Sequence, residues 1–416
     1  MSLSLHAPGV FSEAQVLAGY LIFIASYFVF AVGKFPGMKI DRPGMAIIGA
    51  VLMFAFRILR AGSAVNTINF ATLALLFSMM VIVGNLRLAG FFDRVAGFAV
   101  ERLGAGHLLA AVIFTSGILS AFFVNDIVCL VMAPLVLETT RRMGLPPVRY
   151  LLAVATASNI GSVATITGNP QNMLIASAAG LGYRDFIGHL GPVAVVGLLL
   201  DWAILHLMGR HEPPGPAIEA AAVTPRSHAR SLGKPVVVTG MVLAGFLGGI
   251  PPALMAAVGA AVLLITRSLE PKLVYDEVDW GLLVFFTGLF LIVGGAEQVG
   301  LMPLLLELAR GANLHNPGIF TAATAALSNL VSNVPAVMLL QSLVPSFPAP
   351  HRSWLLLAMA STLAGNLTIT GSIANIIVVE RARPEVHIGF RDYFRVGLPV
   401  TLATLAAGWA WLSWTV

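Results

Sequence analysis

Polar residues able to bind a solute gather in two places where the surrounding sequence is oily. The stretch ASNIGSVATITGNPQN, Ala157 to Asn172, packs Ser, Thr, Asn, Gln, Gly and Pro into an apolar segment that runs from Val148 to Leu181. A second copy, GNLTITGSIAN, runs from Gly365 to Asn375. Thr165-Ile166-Thr167-Gly168 matches Thr368-Ile369-Thr370-Gly371 and Asn172 falls on Asn375, at an offset of 203 residues. Asn159, Thr165, Asn169 and Asn172, with Asn366, Thr368, Ser372 and Asn375, offer uncharged donors and acceptors that could hydrogen-bond a small polar solute. Singly, each is as well explained as glue between packed membrane helices. As a duplicated set at corresponding breaks, they are the pattern that marks the substrate site of a secondary transporter.

Two further interruptions carry chemistry. Val124-Asn125-Asp126 divides the apolar region His107–Thr140, and Ser332-Asn333-Val334-Pro335 divides Ile319–Val344. Asn125, Ser332 and Asn333 join the candidate lining. Asp126 is the sharpest single residue, because an ionisable group inside a membrane segment is costly and by default functional. Its repeat counterpart is Val334, so the repeat architecture does not require the acid. Asp126 is read as the residue that exchanges a proton or coordinates sodium to drive transport; the bland rival is a cap on the second arm of the hairpin. Asp201, nearer a helix end, is a weaker candidate. Cys129 is the only cysteine, which excludes an intrachain disulfide and a multi-thiol metal site, so it reads as a small buried hydrophobe and no metal or cofactor is called for.

The elements that position these residues follow from composition and hydropathy. With 58% hydrophobic and 10% charged residues, the chain is a polytopic membrane protein, not a soluble globule or a disordered chain. Its excess of basic residues lies between apolar segments and reads as topology signal, which argues against nucleic acid as a partner. No basic, cleavable leader precedes the first apolar run, so that run is expected to stay. Spans are expected at Val16–Val32, Met45–Ile58, Phe70–Leu86, the broken Val148–Leu181, and Phe186–Met208. They recur at Pro235–Gly248, Ala253–Thr266, Trp280–Val293, the broken Trp354–Val379, and Phe394–Trp411. Arg87–Gly106 and Glu297–His315 are amphipathic and expected at the membrane surface. Each region interrupted at Asn125 or Asn333 reads as a re-entrant hairpin or as two spans.

The second half repeats the first. Gly182, Arg184, Asp185 and Pro192 return as Gly389, Arg391, Asp392 and Pro399, Gly84 and Gly90 return as Gly294 and Gly300, and Asn125 returns as Asn333. The expected division is a first repeat over 1–208, a cytoplasmic linker over 209–234 and a second repeat over 235–416. An odd number of crossings per half forces inverted topology. The basic loops fall on one side if both termini lie outside, with Trp409, Trp411 and Trp414 as an interfacial belt.

The hairpin tip FVNDIVCLVMAP, the SNIGS and TGNPQN break, the SNVP tip and the GNLTITGSIAN break, in that order and over essentially the whole chain, resemble the ion-transporter superfamily. That superfamily holds arsenite efflux permeases, NhaD-type sodium/proton antiporters and citrate- or dicarboxylate-type anion permeases. The resemblance implies an all-α inner-membrane carrier of two inverted repeats, each with five spans, a re-entrant hairpin and a broken helix. The tips lack the Ser-Asn-Thr signature of the sodium-dicarboxylate branch and the first carries an Asp, which brings them nearer the arsenite permeases. Proton-coupled efflux of arsenite or antimonite is the expected function, with an anion permease or sodium/proton antiporter as the alternative and a channel as the weaker rival. The expected partners are the small solute, a coupling ion, the bilayer and, by the resemblance, a second copy of the chain. No phosphate-binding loop occurs, so any use of ATP would need an ATPase subunit.

Overall fold

The computed structural model describes residues 11–33, 39–101, 106–209, 232–265 and 270–416. Among them the protein is helical without a strand, as expected. Ten helices form the first half: α1 (Glu13–Val32), α2 (Arg42–Ala55), α3 (Ala61–Thr67), α4 (Phe70–Leu88), α5 (Phe91–Glu101), α6 (Leu108–Phe122), α7 (Asn125–Arg142), α8 (Pro147–Ser162), α9 (Pro170–Ala179) and α10 (Tyr183–Met208). Ten more follow in the same order: α11 (Gly233–Leu247), α12 (Pro252–Ile265), α13 (Pro271–Tyr275), α14 (Trp280–Gln298), α15 (Leu301–Gly311), α16 (Pro317–Val331), α17 (Asn333–Leu340), α18 (Pro350–Leu363), α19 (Ile373–Ala382) and α20 (Phe390–Thr415). Five of them, α1, α4, α10, α14 and α20, are long and apolar enough to cross a membrane unbroken.

Counterparts share their local chemistry. Asn69 accepts from Thr72 N at the start of α4, and Asp279 accepts from Leu282 N at the start of α14, 2.9 and 2.8 Å. Each side chain satisfies one of the amides that a helix N-terminus leaves open.

Two groups of helices pack around each other. A frame joins α2 to α14 and α4 to α12, flanked by α1 and α11. A core module joins α6 to α8, α16 to α18 and α10 to α20. Glycines permit these close crossings: a Cβ at Gly161 of α8 would collide with the Gly117 backbone of α6, and one at Gly288 of α14 with the backbone of Ala46 in α2. Small residues at such crossings let membrane helices gain dispersion contact over their whole length.

Counterpart helices lie side by side and antiparallel. Thr67, before α4, packs at Gly294 late in α14, and Gly84 late in α4 packs at Glu277 before α14. In α10 and α20, Trp411 Nε1 donates to His189 O at 2.9 Å, Val193 meets Gly408, and Gly197 meets Thr404.

Of the two readings of the interrupted regions, the structure takes the hairpin: α6–α7 and α16–α17 are helical hairpins whose tips meet the breaks inside the module. Other expectations need correcting. Helices α3 and α13 were not foreseen; seven and five residues are too few to show a period. Trp411 is not a belt residue, since its indole is half-buried and bonds the α10 backbone, whereas Trp409 and Trp414 are exposed. Asp201 is fully buried along α10. Of the expected linker, residues 210–231 lie outside the described residues.

Candidate functional site

Both breaks are built alike. After α8 the chain turns through a short 3₁₀ segment, Ile166–Gly168, before α9, and after α18 it does so through Ile369–Gly371 before α19. The freed carbonyls are gathered by one asparagine in each half. Asn172 Nδ2 donates to Ser162 O and Thr165 O, both at 3.0 Å, and Asn375 Nδ2 donates to Gly365 O and Thr368 O at 2.7 and 2.9 Å. Inside a membrane protein such carbonyls must find internal partners, which is what these amides supply. Thr165 Oγ1 donates to Ala121 O of α6 and Thr368 Oγ1 to Asn329 Oδ1 of α16, at 3.3 Å for the second, so each break is tied to the hairpin before it.

Asn159 is the centre of the polar cluster. Its Oδ1 accepts from Asn125 Nδ2 at 2.9 Å and from Ser372 Oγ at 3.0 Å, and its Nδ2 donates to Asn366 Oδ1 at 2.8 Å and Asn375 Oδ1 at 2.9 Å. One side chain thereby joins the first hairpin tip, the first break and the second break. The 203-residue offset places Thr362 opposite Asn159, and Thr362 does the matching work. Its hydroxyl accepts from Asn169 Nδ2 at 3.3 Å and Gln171 Nε2 at 3.2 Å and contacts Asn172 Oδ1 at 3.5 Å. Asn169 also accepts from Asn172 N and so caps α9. Thr362 and Gln171 were not foreseen; Thr362 was legible only by carrying the repeat offset through a position where the residue type changes.

A cavity of about 160 Å³ adjoins this cluster. Asn125 and Asp126 line it from the first tip, Ser332 and Asn333 from the second, Gln171 and Ser372 from the breaks. Those residues open α7, α17, α9 and α19, so four helix N-termini converge on one small space. Their partial positive charge, with no side chain capping α7 or α17, favours an anion or a lone-pair-rich oxygen. Asn159, Thr165, Asn169, Asn172, Asn366, Thr368 and Asn375 do not line the cavity; all but the half-buried Thr368 form the buried support behind it.

Arg42 and Asp279 complete the lining from the frame. Arg42 was missed because the sequence offers it only as a loop cation at the start of α2; its Nε donates to Phe30 O at 3.0 Å. Asp126 makes no hydrogen bond or ion pair among the described residues, although Asp279 lies within its electrostatic reach. The capping role is overturned, because Val124 occupies the cap position of α7 and no side chain caps that helix.

Ser332 has φ +78° and ψ 158°, a region that only glycine enters freely. Such backbone costs about 1–3 kcal/mol and gathers at functional positions. Asn333 holds the tip: with its amide nitrogen turned to donate, it reaches Ser328 Oγ at 2.7 Å, Ser361 O at 3.1 Å and Gly371 O at 3.2 Å. Ser332→Gly is expected to raise thermal stability by about 1 kcal/mol while slowing transport, read by melting of the solubilised protein beside vesicle flux. A less stable variant would contradict the strain.

A second crevice, about 740 Å³, lies at the far end of α14. Asp279 at the start of α14 faces the first cavity, and Glu297 near its end faces the second and accepts from Ser342 Oγ at 2.8 Å. Frame and module are also tied by Tyr27 OH to Pro335 O at 3.1 Å and by Ser177 Oγ to Asn69 Oδ1 at 2.9 Å.

Residues 26–364 match the family model described as citrate transporter (CitMHS). The chain belongs to the citrate transporter family. Relatives named as transporters match it end to end. The silicon efflux transporter LSI3 of Oryza sativa subsp. japonica is 30% identical, with 95% of this chain and 97% of that one covered. A putative transporter arsB of Dictyostelium discoideum is 25% identical, over 89% and 87%. The crystal structure of the Alcanivorax borkumensis YdaH transporter matches at a TM-score of 0.59 and 17% identity, covering 96% and 97%, and so shares the fold. This citrate transporter family member is therefore a multi-pass membrane transporter and not an enzyme, consistent with the ion-transporter resemblance of its motifs.

Proposed function

We propose that the protein exports a small, uncharged, hydroxyl-bearing inorganic acid, such as arsenous, antimonous or silicic acid, in exchange for protons across the inner membrane. The observation that carries this reading is that Asn125, Gln171, Ser332, Asn333 and Ser372 present uncharged donors and acceptors to the cavity from both halves, braced from behind by the cluster around Asn159. Hydroxyls of a neutral acid both donate and accept, and uncharged amides match them without a buried counter-ion. The printed names of two relatives, one for silicon efflux and one arsB, support the same class.

The halves, 1–208 and 235–416, are inverted repeats joined by a cytoplasmic linker, and the module carries the site past the frame between the two crevices on either side of α14. Asp126 is the coupling residue, and Asn125, Ser332, Asn333 and Ser372 touch the solute. The resemblance extends to a homodimer and leaves an ATPase subunit unneeded when a proton gradient drives the cycle.

One observation favours a second reading. Arg42 lines the cavity beside four helix N-termini, which suits a carboxylate of the citrate type. Flux into everted vesicles, compared for arsenite, antimonite, silicic acid, citrate and succinate with and without a pH gradient, decides between them. Uptake of the neutral acids alone, driven by the gradient, is the expected result. Uptake of citrate that Arg42→Gln abolishes would establish the second reading, and a strict sodium requirement would remove proton coupling.

A further inference from the structure

Asp201 has no place in the site just described, yet it is a fully buried acid in the middle of a membrane protein. Only one of its oxygens has a partner: Thr156 Oγ1 lies 3.0 Å from Oδ2, while Oδ1 has none. An ionised carboxylate so placed would be poorly compensated, since a buried charge needs pairing and several hydrogen bonds.

The hydrogen count around Thr156 tells which form fits. Thr156 Oγ1 also lies 2.9 Å from Leu152 O. Its hydroxyl has one hydrogen to give, already shared between Leu152 O and Ala153 O at 3.5 Å, and Asp201 adds a further acceptor if it is ionised. If Asp201 is protonated, the acid donates to Thr156 and Thr156 donates to Leu152 O, so every hydrogen has an acceptor.

Asp201 is also wired to the solute site. Asn366 Nδ2 donates to the backbone oxygen of Thr156 at 3.2 Å, and Asn366 Oδ1 accepts from Asn159. Rearrangement at Asn159 therefore reaches the residue that holds Asp201 in two steps. Among the helices packed against α10, α6 has no titratable group along its length, and α20 brings Tyr393, whose buried hydroxyl also lacks a partner and lies in the field of Asp201. Arg391, Asp392 and Arg395 flank Tyr393 at the start of α20. On α8, Arg149 is engaged at Gly209 O and Tyr150 follows it; Lys234 lies at the start of α11, and on α18 His351 pairs with Asp185, with Arg352 beside it. Buried hydroxyls without a partner recur on the same neighbours, at Ser116 and Ser120 of α6 and Thr401 of α20.

We infer that Asp201 is a second proton-carrying position of the transport cycle, reporting on the solute site through Thr156 and Asn366. This rests on the proton-coupled reading. In the protonated form Asp201 donates to Thr156. Release requires a state of the cycle in which water reaches Asp201, which is fully buried in this structure; the water takes the proton and the Thr156 hydroxyl turns from Leu152 O to Asp201 Oδ2. Asp126 exchanges its proton at the cavity itself, whereas Asp201 does so behind it.

Two measurements on the full-length protein test this. Infrared difference spectra of wild type against Asp201→Asn should show loss of the carbonyl stretch of a protonated carboxylic acid, retained in Asp126→Asn as a control for the second acid. An unchanged band in Asp201→Asn overturns the proposal. In reconstituted vesicles Asp201→Asn should keep solute counterflow, which needs no net proton movement, and lose pH-driven accumulation. Wild-type accumulation by that variant overturns the role of Asp201 alone. Absence of pH-driven accumulation in the parent overturns proton coupling itself and this proposal with it.

Discussion

Asn159→Ala is expected to abolish transport and to destabilise the solubilised protein by at least about 4 kcal/mol, because each of four buried groups left without its hydrogen-bond partner costs about 1–3 kcal/mol. The amide of Asn125, the carbonyl oxygens of Asn366 and Asn375, and the hydroxyl of Ser372 all lose their bond to Asn159 together. These partners come from both halves, so the loss loosens the contact between the hairpin tip and the two breaks. Asn375→Ala is expected to act in the same direction by releasing Gly365 O and Thr368 O. The informative companion is Asn159→Thr, which installs the residue that the second half uses at the corresponding position. Threonine can keep one donor and one acceptor contact, so this variant should melt between wild type and Asn159→Ala and retain measurable flux. Parental flux in Asn159→Ala would remove the cluster from the mechanism, whatever its effect on melting.

Asp126→Asn is expected to leave solute binding and counterflow intact and to abolish the response to a pH gradient. The side chain faces the cavity without a hydrogen bond or ion pair among the described residues, and Asp279 shares that cavity. Its neutral isostere therefore disturbs no recorded contact, while removing the group able to bind and release a proton beside the solute. Among the described residues, Asp126 and Asp279 share this small space with Arg42. Binding by scintillation proximity and pH-driven flux should be measured side by side. A variant whose flux follows the gradient as the parent's does would exclude Asp126 from coupling.

The two breaks were legible because glycine, proline and amide side chains stand out against an apolar background and because they occur twice. The hairpins were legible as interruptions, but whether each was a hairpin or two spans was not, since hydropathy carries no information about depth. Arg42 escaped because a basic residue between spans is ordinarily a topology signal, and only packing of α2 beside α14 brings it to the cavity. The bond between Asn159 and Asn366 joins positions 207 residues apart. No local pattern encodes it. Thr362 was hidden because the residue type changes between the two halves at that position. The division of labour was hidden too: sequence marks polar residues at breaks without telling those that line a cavity from those that hold its walls.

The antiparallel pairing of α4 with α14 and of α10 with α20 carries a consequence for how such a chain can arise. If the halves are inverted repeats, as proposed, each presents a surface that fits its own copy turned over, which is an isologous interface. A half-length ancestor inserted in both orientations would already have possessed that interface and could have assembled from a single gene. Fusion of two copies then fixes one orientation for each and frees the halves to diverge. The acid at 126 opposite Val334, and the amide at 159 opposite Thr362, are positions where the two halves of this sequence have come to differ.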